Sequence, residues 1–308
     1  MGLLDEVRAI AERVSKSARY VRIQTDAIEA YAAALPVEQA QRAALDPTTH
    51  YIGAADPTLA FVVTLDAINF GSGYFPKLKK RLGLSGYFTI AASLKDVYEQ
   101  QGPMSADQLK ALTQGDCARI FGQSDNEDPV VAELMELFGR ALNDLGTYVT
   151  DRYGGSFRAL VKAAEGSAER LVGILAEMPF YWDVGFYKRA QLTAADLAVA
   201  HVAHFNDLDR LTIFADNLVP HVLRLDGILS YEPGLLERIE REKLIADGSW
   251  QEFEIRACAV HAVELIGQAL RSGGHRVNSM QLDYLLWNRG QLPAYKAQPR
   301  HRTRTVFY

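Results

Sequence analysis

Two acidic side chains stand among residues that carboxylates usually avoid. Asp216 lies in Leu211-Thr-Ile-Phe-Ala-Asp-Asn-Leu-Val-Pro220, an apolar stretch with a single carboxylate. Burying an unpaired ionised carboxylate costs on the order of several kcal/mol. Asp216 is therefore either the cap of a helix starting at Asn217, with Pro220 in its first turn, or a carboxylate lining an apolar pocket. Asp283 lies in Leu282-Asp-Tyr-Leu-Leu-Trp-Asn288, where it shares a helical face with Trp287 at i, i+4. A carboxylate beside an aromatic ring suits a flat heterocycle bearing N–H donors. The plainer alternative is a solvated Asp next to a half-buried Trp.

The last fourteen residues, 295–308, carry Lys296, Arg300, Arg302 and Arg304 and no acid. In an extended segment Arg302 and Arg304 project to one side, since side chains alternate with a period of two. An anion site and a solvated tail both fit, and the apolar ending Val306-Phe-Tyr308 favours docking. His201, His204 and Asp207 have spacing that can hold a divalent metal, but also suit capping or surface roles. There is no Gly-rich dinucleotide fingerprint, phosphate-binding Walker loop, HExxH or GxSxG. No metal or redox cofactor is expected.

The elements that must position these residues read as helices. Leu4, Val7, Ile10, Ala11 and Val14 form one apolar stripe, and Val130, Leu134, Leu137, Phe138 and Leu142 another. The second is entered through Asp128-Pro129, and Ser156 opens a further helix. A long pattern from Trp250 to Leu270 stops at Ser272-Gly-Gly274. Alternating β-branched runs are missing, and Gly86–Ile90 reads as either a short extended piece or a helix start. The expectation is a compact all-α protein of 308 residues, one domain with lobes at 1–150 and 151–308.

The 33 basic and 38 acidic residues give a formal charge of −5, which disfavours general nucleic-acid binding but leaves room for one basic pocket. Cys117 and Cys258 are too few for a disulfide scaffold. No apolar run approaches the ~18–20 residues of a membrane span, and Asp5, Glu6 and Arg8 interrupt any signal sequence. A soluble cytoplasmic protein is expected.

Several stretches occur together in one order: Phe186-Tyr-Lys-Arg-Ala-Gln191 with Ala195-Asp196, Thr212–Asp216 with Val219-Pro220, and Glu254-Ile-Arg-Ala-Cys258 with Val263-Glu264. Leu282-Asp-Tyr284 with Leu286-Trp287 and His301-Arg-Thr-Arg304 follow; Thr64–Phe70 and Gly154–Phe157 precede them. This set, over roughly residues 50–308, resembles the queuosine salvage family, the queuosine 5′-phosphate N-glycosylase/hydrolases. The resemblance implies a fold similar to helical DNA glycosylases. It also implies hydrolysis of the N-glycosidic bond of queuosine 5′-monophosphate, yielding queuine and ribose 5-phosphate. Carried over residue by residue, Asp216 is the catalytic carboxylate. His50, Phe214, Asp283, Tyr284 and Asn288 line the base pocket, and Arg302 and Arg304 are candidates for the phosphate. Lys188, on a helix leading toward the Asp216 segment, is the other phosphate candidate or else part of a solvated helix face. Where this chain has Asn288 the family can carry Asp; the amide accepts a hydrogen bond but brings no charge.

The implied chemistry suits these residue types. Cleaving a ribosyl C–N bond builds positive charge on the sugar, which a carboxylate stabilises or captures. A 7-deazaguanine has no N7 to protonate, so the pocket must stabilise the leaving base through its other edges. The partners expected are this nucleotide and free queuine, with no stable nucleic-acid complex and no membrane. A glycosylase acting on a base within DNA or RNA would need a basic track along the backbone. A non-catalytic helical binding protein would tolerate loss of Asp216 and Asp283.

Overall fold

A computed structural model describes residues 2–40 and 43–308. Among these residues it contains sixteen α-helices and one two-stranded antiparallel sheet, so the fold is predominantly α. The helix boundaries follow local chemistry. Asp128 accepts from the Val130 amide at the entrance of Pro129–Tyr153, and Gly154 closes that helix in the left-handed conformation. Ser156 caps Phe157–Lys162, and Ser249 caps the long helix Trp250–Ser272. The Gly86–Ile90 stretch opens the helix Gly86–Gln101 behind a Ser85 cap. The sheet was not foreseen. Val21–Ile23 pairs with Leu229–Tyr231, and three residues per strand are too few for a period of two to emerge.

Two apolar clusters form the interior. One gathers Phe61, Leu65 and Phe70 against Phe138, Leu142 and Leu171, together with Ala190 and Ala194 of the helix Lys188–Val199. The other gathers Val7 and Ala11 of the N-terminal helix with Ile213, Val219, Ile255, Val263 and Leu286. Tyr187 packs against both. The segment 183–188 therefore lies where the two clusters meet, and Lys188 begins a helix at that seam.

The tail is a docked, extended strap. His301, Thr303 and Thr305 are buried, while Arg300, Arg302 and Arg304 alternate with them on the less buried side. Its backbone is held at several points. Arg224 donates to the Pro299 carbonyl at 2.9 Å, Asn217 to that of His301 at 3.1 Å, and the Ile245 amide to that of Arg302 at 2.9 Å. The Gly71 amide donates to the Tyr308 carbonyl at 3.0 Å.

Gly73 makes this seating possible. A Cβ there would overlap the Thr303 carbonyl and lie 2.9 Å from the Arg304 nitrogen, and both are backbone groups that cannot rotate away. Gly73→Ala should lift the strap and cost about 1–3 kcal/mol, in the range of other overpacking changes. Limited trypsin digestion should then cut after Arg302 and Arg304 in the variant well before it cuts the wild type. A digestion profile equal to wild type would show that the strap docks without this close approach.

Candidate functional site

A cavity of about 920 Å³ opens between the strap, the segment around Asp216 and the helix Ser279–Gly290. His50, Lys188, Phe214, Asp216, Asp283, Tyr284, Asn288 and Arg302 all line it. These residues are separated by as much as 252 positions in sequence, and the fold brings them to one wall. Arg304 is not among the lining residues. Its guanidinium carbon lies 5.6 Å from the centre of the Tyr74 ring, on the far part of the strap.

Asp216 is half-buried. Its Oδ1 accepts from the amides of Leu218 at 2.7 Å and Val219 at 3.1 Å, at the mouth of the helix Val219–Leu225. That helix starts two residues later than expected, with Pro220 in its first turn. The same carboxylate faces the cavity. The amide bonds fix its orientation without covering it.

Lys188 is 5% exposed, and its Nζ donates to the Asn69 carbonyl at 3.1 Å and to Asn69 Oδ1 at 3.2 Å. Burial lowers its pKa, and the Asp216 charge works against that shift. The ammonium is thus tied to Asn69 in the cavity wall, within reach of the Asp216 charge.

Asp283 is buried in the cavity lining. Its Oδ1 accepts from the Phe214 amide at 2.8 Å. Burial, then the charge of Asp216, pushes its carboxyl well above the usual range, while the Phe214 amide and Lys188 pull it back. A ligand offering N–H donors would favour the ionised form further. Tyr284, the next residue, donates its hydroxyl to Asp196 Oδ1 at 2.5 Å, and its ring stands edge-on to Phe214 at 6.1 Å. Deeper still lies Asp66, 1% exposed, with neither carboxylate oxygen in a well-formed hydrogen bond among the described residues. Burial and then the Asp196 charge drive its carboxyl well above the normal range; burial raises Asp196 as well.

Aromatic rings complete this part of the wall. Trp287 stands edge-on to Tyr87 at 6.2 Å and to Phe88 at 5.8 Å. His50 lies beside the same two rings. Its Nδ1 lies 3.1 Å from both the Asp46 carbonyl and the Thr49 hydroxyl. Burial lowers its pKa, and Nε2 lies 2.9 Å from the Tyr87 hydroxyl.

Cations gather on another part of the lining. Arg302 pairs with Glu242 at 2.7 Å. Arg300 has no carboxylate partner within ion-pair reach among the described residues; burial lowers its pKa, and the Asp216 charge opposes this. Burial also lowers Lys80, and the charges of Arg300 and Arg302 add to that shift. Lys80, Arg300 and Arg302 thus make a local cluster of positive charge on the lining, one member of which is paired with Glu242. Sequence reasoning passed over Lys80 and chose Arg304 over Arg300. The alternation along the strap shows which residues share a side, but not which of them reach the cavity.

His201, His204 and Asp207 do not converge. Asp207 accepts from the Ser167 hydroxyl at 2.7 Å and the Ala168 amide at 2.6 Å, at the start of Ala168–Leu175. His204 contacts Asn206 at 3.2 Å on the surface. No group of three metal-ligating side chains occurs among the described residues. No helix among them is long and apolar enough to cross a membrane.

Known proteins give this geometry a context. A protein of Sphaerobacter thermophilus named queuosine 5′-phosphate N-glycosylase/hydrolase is 35% identical, the match covering 100% of this chain and 98% of the relative. A mouse protein of the same name is 30% identical over 98% of each chain. One from Dictyostelium discoideum is 30% identical over 82% of this chain and 78% of its own. The queuosine salvage protein family matches residues 49–308, a span that takes in every lining residue from His50 to Tyr308. The chain belongs to the queuosine salvage protein family.

Proposed function

We propose that this cavity hydrolyses the N-glycosidic bond of queuosine 5′-monophosphate, releasing queuine and ribose 5-phosphate. The observation that carries the reading is convergence. Asp216 and Lys188, the Asp283 acceptor with its aromatic surround, and the cluster of Lys80, Arg300 and Arg302 share one cavity. Its volume of about 920 Å³ is in the size range of small-molecule sites.

Base, sugar and phosphate then have separate partners. Phe214, Tyr284, Trp287 and His50 wall the 7-deazaguanine, and Asp283 accepts from its N–H edge. Asn288, one turn beyond Tyr284 on the same helix, accepts from the substituent without bringing charge. The C–N bond breaks with its electron pair going to the base, which takes up a proton. Positive charge develops on the sugar carbon, and Asp216 is the fixed negative charge that answers it. Water adds to that carbon and loses a proton. The Asp216 charge in turn favours the Lys188 ammonium against the cost of its burial. Arg300 and Arg302, with Lys80, hold the 5′-phosphate by charge-assisted hydrogen bonds. None of these steps calls on a metal or redox cofactor. The enzyme would work in the cytoplasm on a free nucleotide rather than on a nucleic-acid chain.

The primary test is to incubate the protein with queuosine 5′-monophosphate and detect queuine and ribose 5-phosphate by mass. Asp216→Asn should keep the fold and lower kcat by about 10²–10³, the usual loss for one preorganised charge-stabilising group. Turnover within a few-fold of wild type would leave Asp216 as a helix cap only. Asp283→Ala should raise KM by an amount equivalent to about 1.5–3 kcal/mol, the worth of a hydrogen bond to a charged group. Because its carboxyl lies above the usual range and the base prefers the ionised form, KM should fall as pH rises through that raised value. Asp283→Asn should flatten this dependence, and an unchanged pH profile would remove the assignment. For the phosphate, Arg300→Ala and Arg302→Ala should each narrow the gap in kcat/KM between queuosine 5′-monophosphate and queuosine. Arg304→Ala should leave that ratio alone, and a ratio insensitive to all three would place the clamp elsewhere.

A further inference from the structure

Beneath the cavity lies an arginine that does not line it. Arg256, in the middle of the helix Trp250–Ser272, is 3% exposed, and every part of its guanidinium is engaged. Nε donates to the carbonyl of Ala215 at 2.8 Å. Nη1 and Nη2 donate to the two oxygens of Asp183 at 2.9 and 2.6 Å. The ring of Phe186 lies 4.1 Å from the guanidinium carbon and that of Tyr308 4.8 Å. Glu252, one turn earlier on the helix, is 3.5 Å from Nη1.

The two acceptors are not arbitrary backbone. Ala215 is the residue immediately before Asp216. Asp183 accepts, at 3.0 Å, the amide of Lys188. Its own carbonyl accepts from the amides of Phe186 and Tyr187 at 3.1 and 2.9 Å. Tyr187, between them and Lys188, is held in the left-handed region at φ 50°, ψ 40°. That conformation is rare for a bulky residue and costs about 1–3 kcal/mol. It turns the chain so that Lys188 begins its helix facing Asn69 and the cavity.

We propose that Arg256 is a positioning residue. It holds the Asp216 carboxylate and the Lys188 ammonium in one fixed relation by bridging the two backbone segments that carry them. The proposal rests on the reading that Asp216 serves the glycosidic cleavage. A buried ion pair contributes little net stability compared with an apolar pair of similar volume. What a guanidinium offers here is geometry: a planar fork that meets one carboxylate with two bonds and keeps a third direction for a carbonyl. A lysine supplies the charge but cannot span both partners.

The test is a double-mutant cycle on kcat and KM for queuosine 5′-monophosphate, with wild type, Arg256→Lys, Asp216→Asn and the double variant. Melting temperature is recorded for each. Arg256→Lys should lower kcat by about 10- to 100-fold, the scale of a 1 Å misplacement, and change KM by less than about threefold. In the Asp216→Asn background it should lower kcat no further, because its effect runs through that carboxylate. Phe186→Leu thins one stacking face without removing a charge and covers the case in which Arg256→Lys does not fold. It should lower kcat by a smaller factor with the same non-additivity. A near-wild-type kcat in these variants, or losses that multiply with Asp216→Asn, overturns the proposal while leaving the function standing. A wild-type protein that releases no queuine removes the functional reading and the proposal together.

Discussion

The Arg256–Asp183 ion pair is almost wholly out of water, its side chains 3% and 5% exposed. Breaking such a pair by removing one partner costs about 3–5 kcal/mol, because the remaining charge is stranded. The pair joins three pieces of chain that share no local structure: the long helix Trp250–Ser272, the turn at residues 183–188 and the segment ending in Asp216. The turn lies at the seam between the two apolar clusters, where Tyr187 touches both, while the helix packs within one of them. The active-site geometry proposed here therefore depends on a contact that is itself hidden from the substrate.

Desolvation organises the rest of the site. Asp66, Asp196 and Asp283 are all pushed toward their neutral forms by burial, and Lys188 is the cation that faces them. Asp216 differs from these acids in being half-buried, with two amides on one oxygen. Lys80, Arg300 and Arg302 make the complementary arrangement, and burial lowers the pKa of both Lys80 and Arg300. In a chain of formal charge −5 this local basic surface is the exception, and it lies on the cavity lining.

Much of the fold was legible because helix signals are local. Asp128-Pro129, Ser156 and the Gly273-Gly274 stop each act on residues within a turn of themselves. The three-residue strands were not legible, since their pairing joins residues about 208 positions apart. The Asp283–Trp287 face could be read from i, i+4 spacing, and both residues line the cavity. For Asp216 the local sequence offered a cap or a pocket and could not show that the residue both accepts helix-start amides and lines the cavity. His201, His204 and Asp207 had a suggestive spacing, yet the backbone at His201 is left-handed and Asp207 is taken by a helix start. Arg256 stood in a conspicuous motif, but its partners lie 41 and 73 positions away, and no local pattern announces them.

The central claim is spatial: one cavity reads the base with Asp283 and meets the sugar with Asp216. The most direct measurement is a crystal structure of the Asp216→Asn protein with queuosine 5′-monophosphate bound. The account predicts the base's N–H edge within hydrogen-bond reach of Asp283, the glycosidic carbon next to residue 216 and the phosphate between Arg300 and Arg302. A nucleotide bound in the reverse sense, with its phosphate at Asp283 or its sugar away from residue 216, would contradict it.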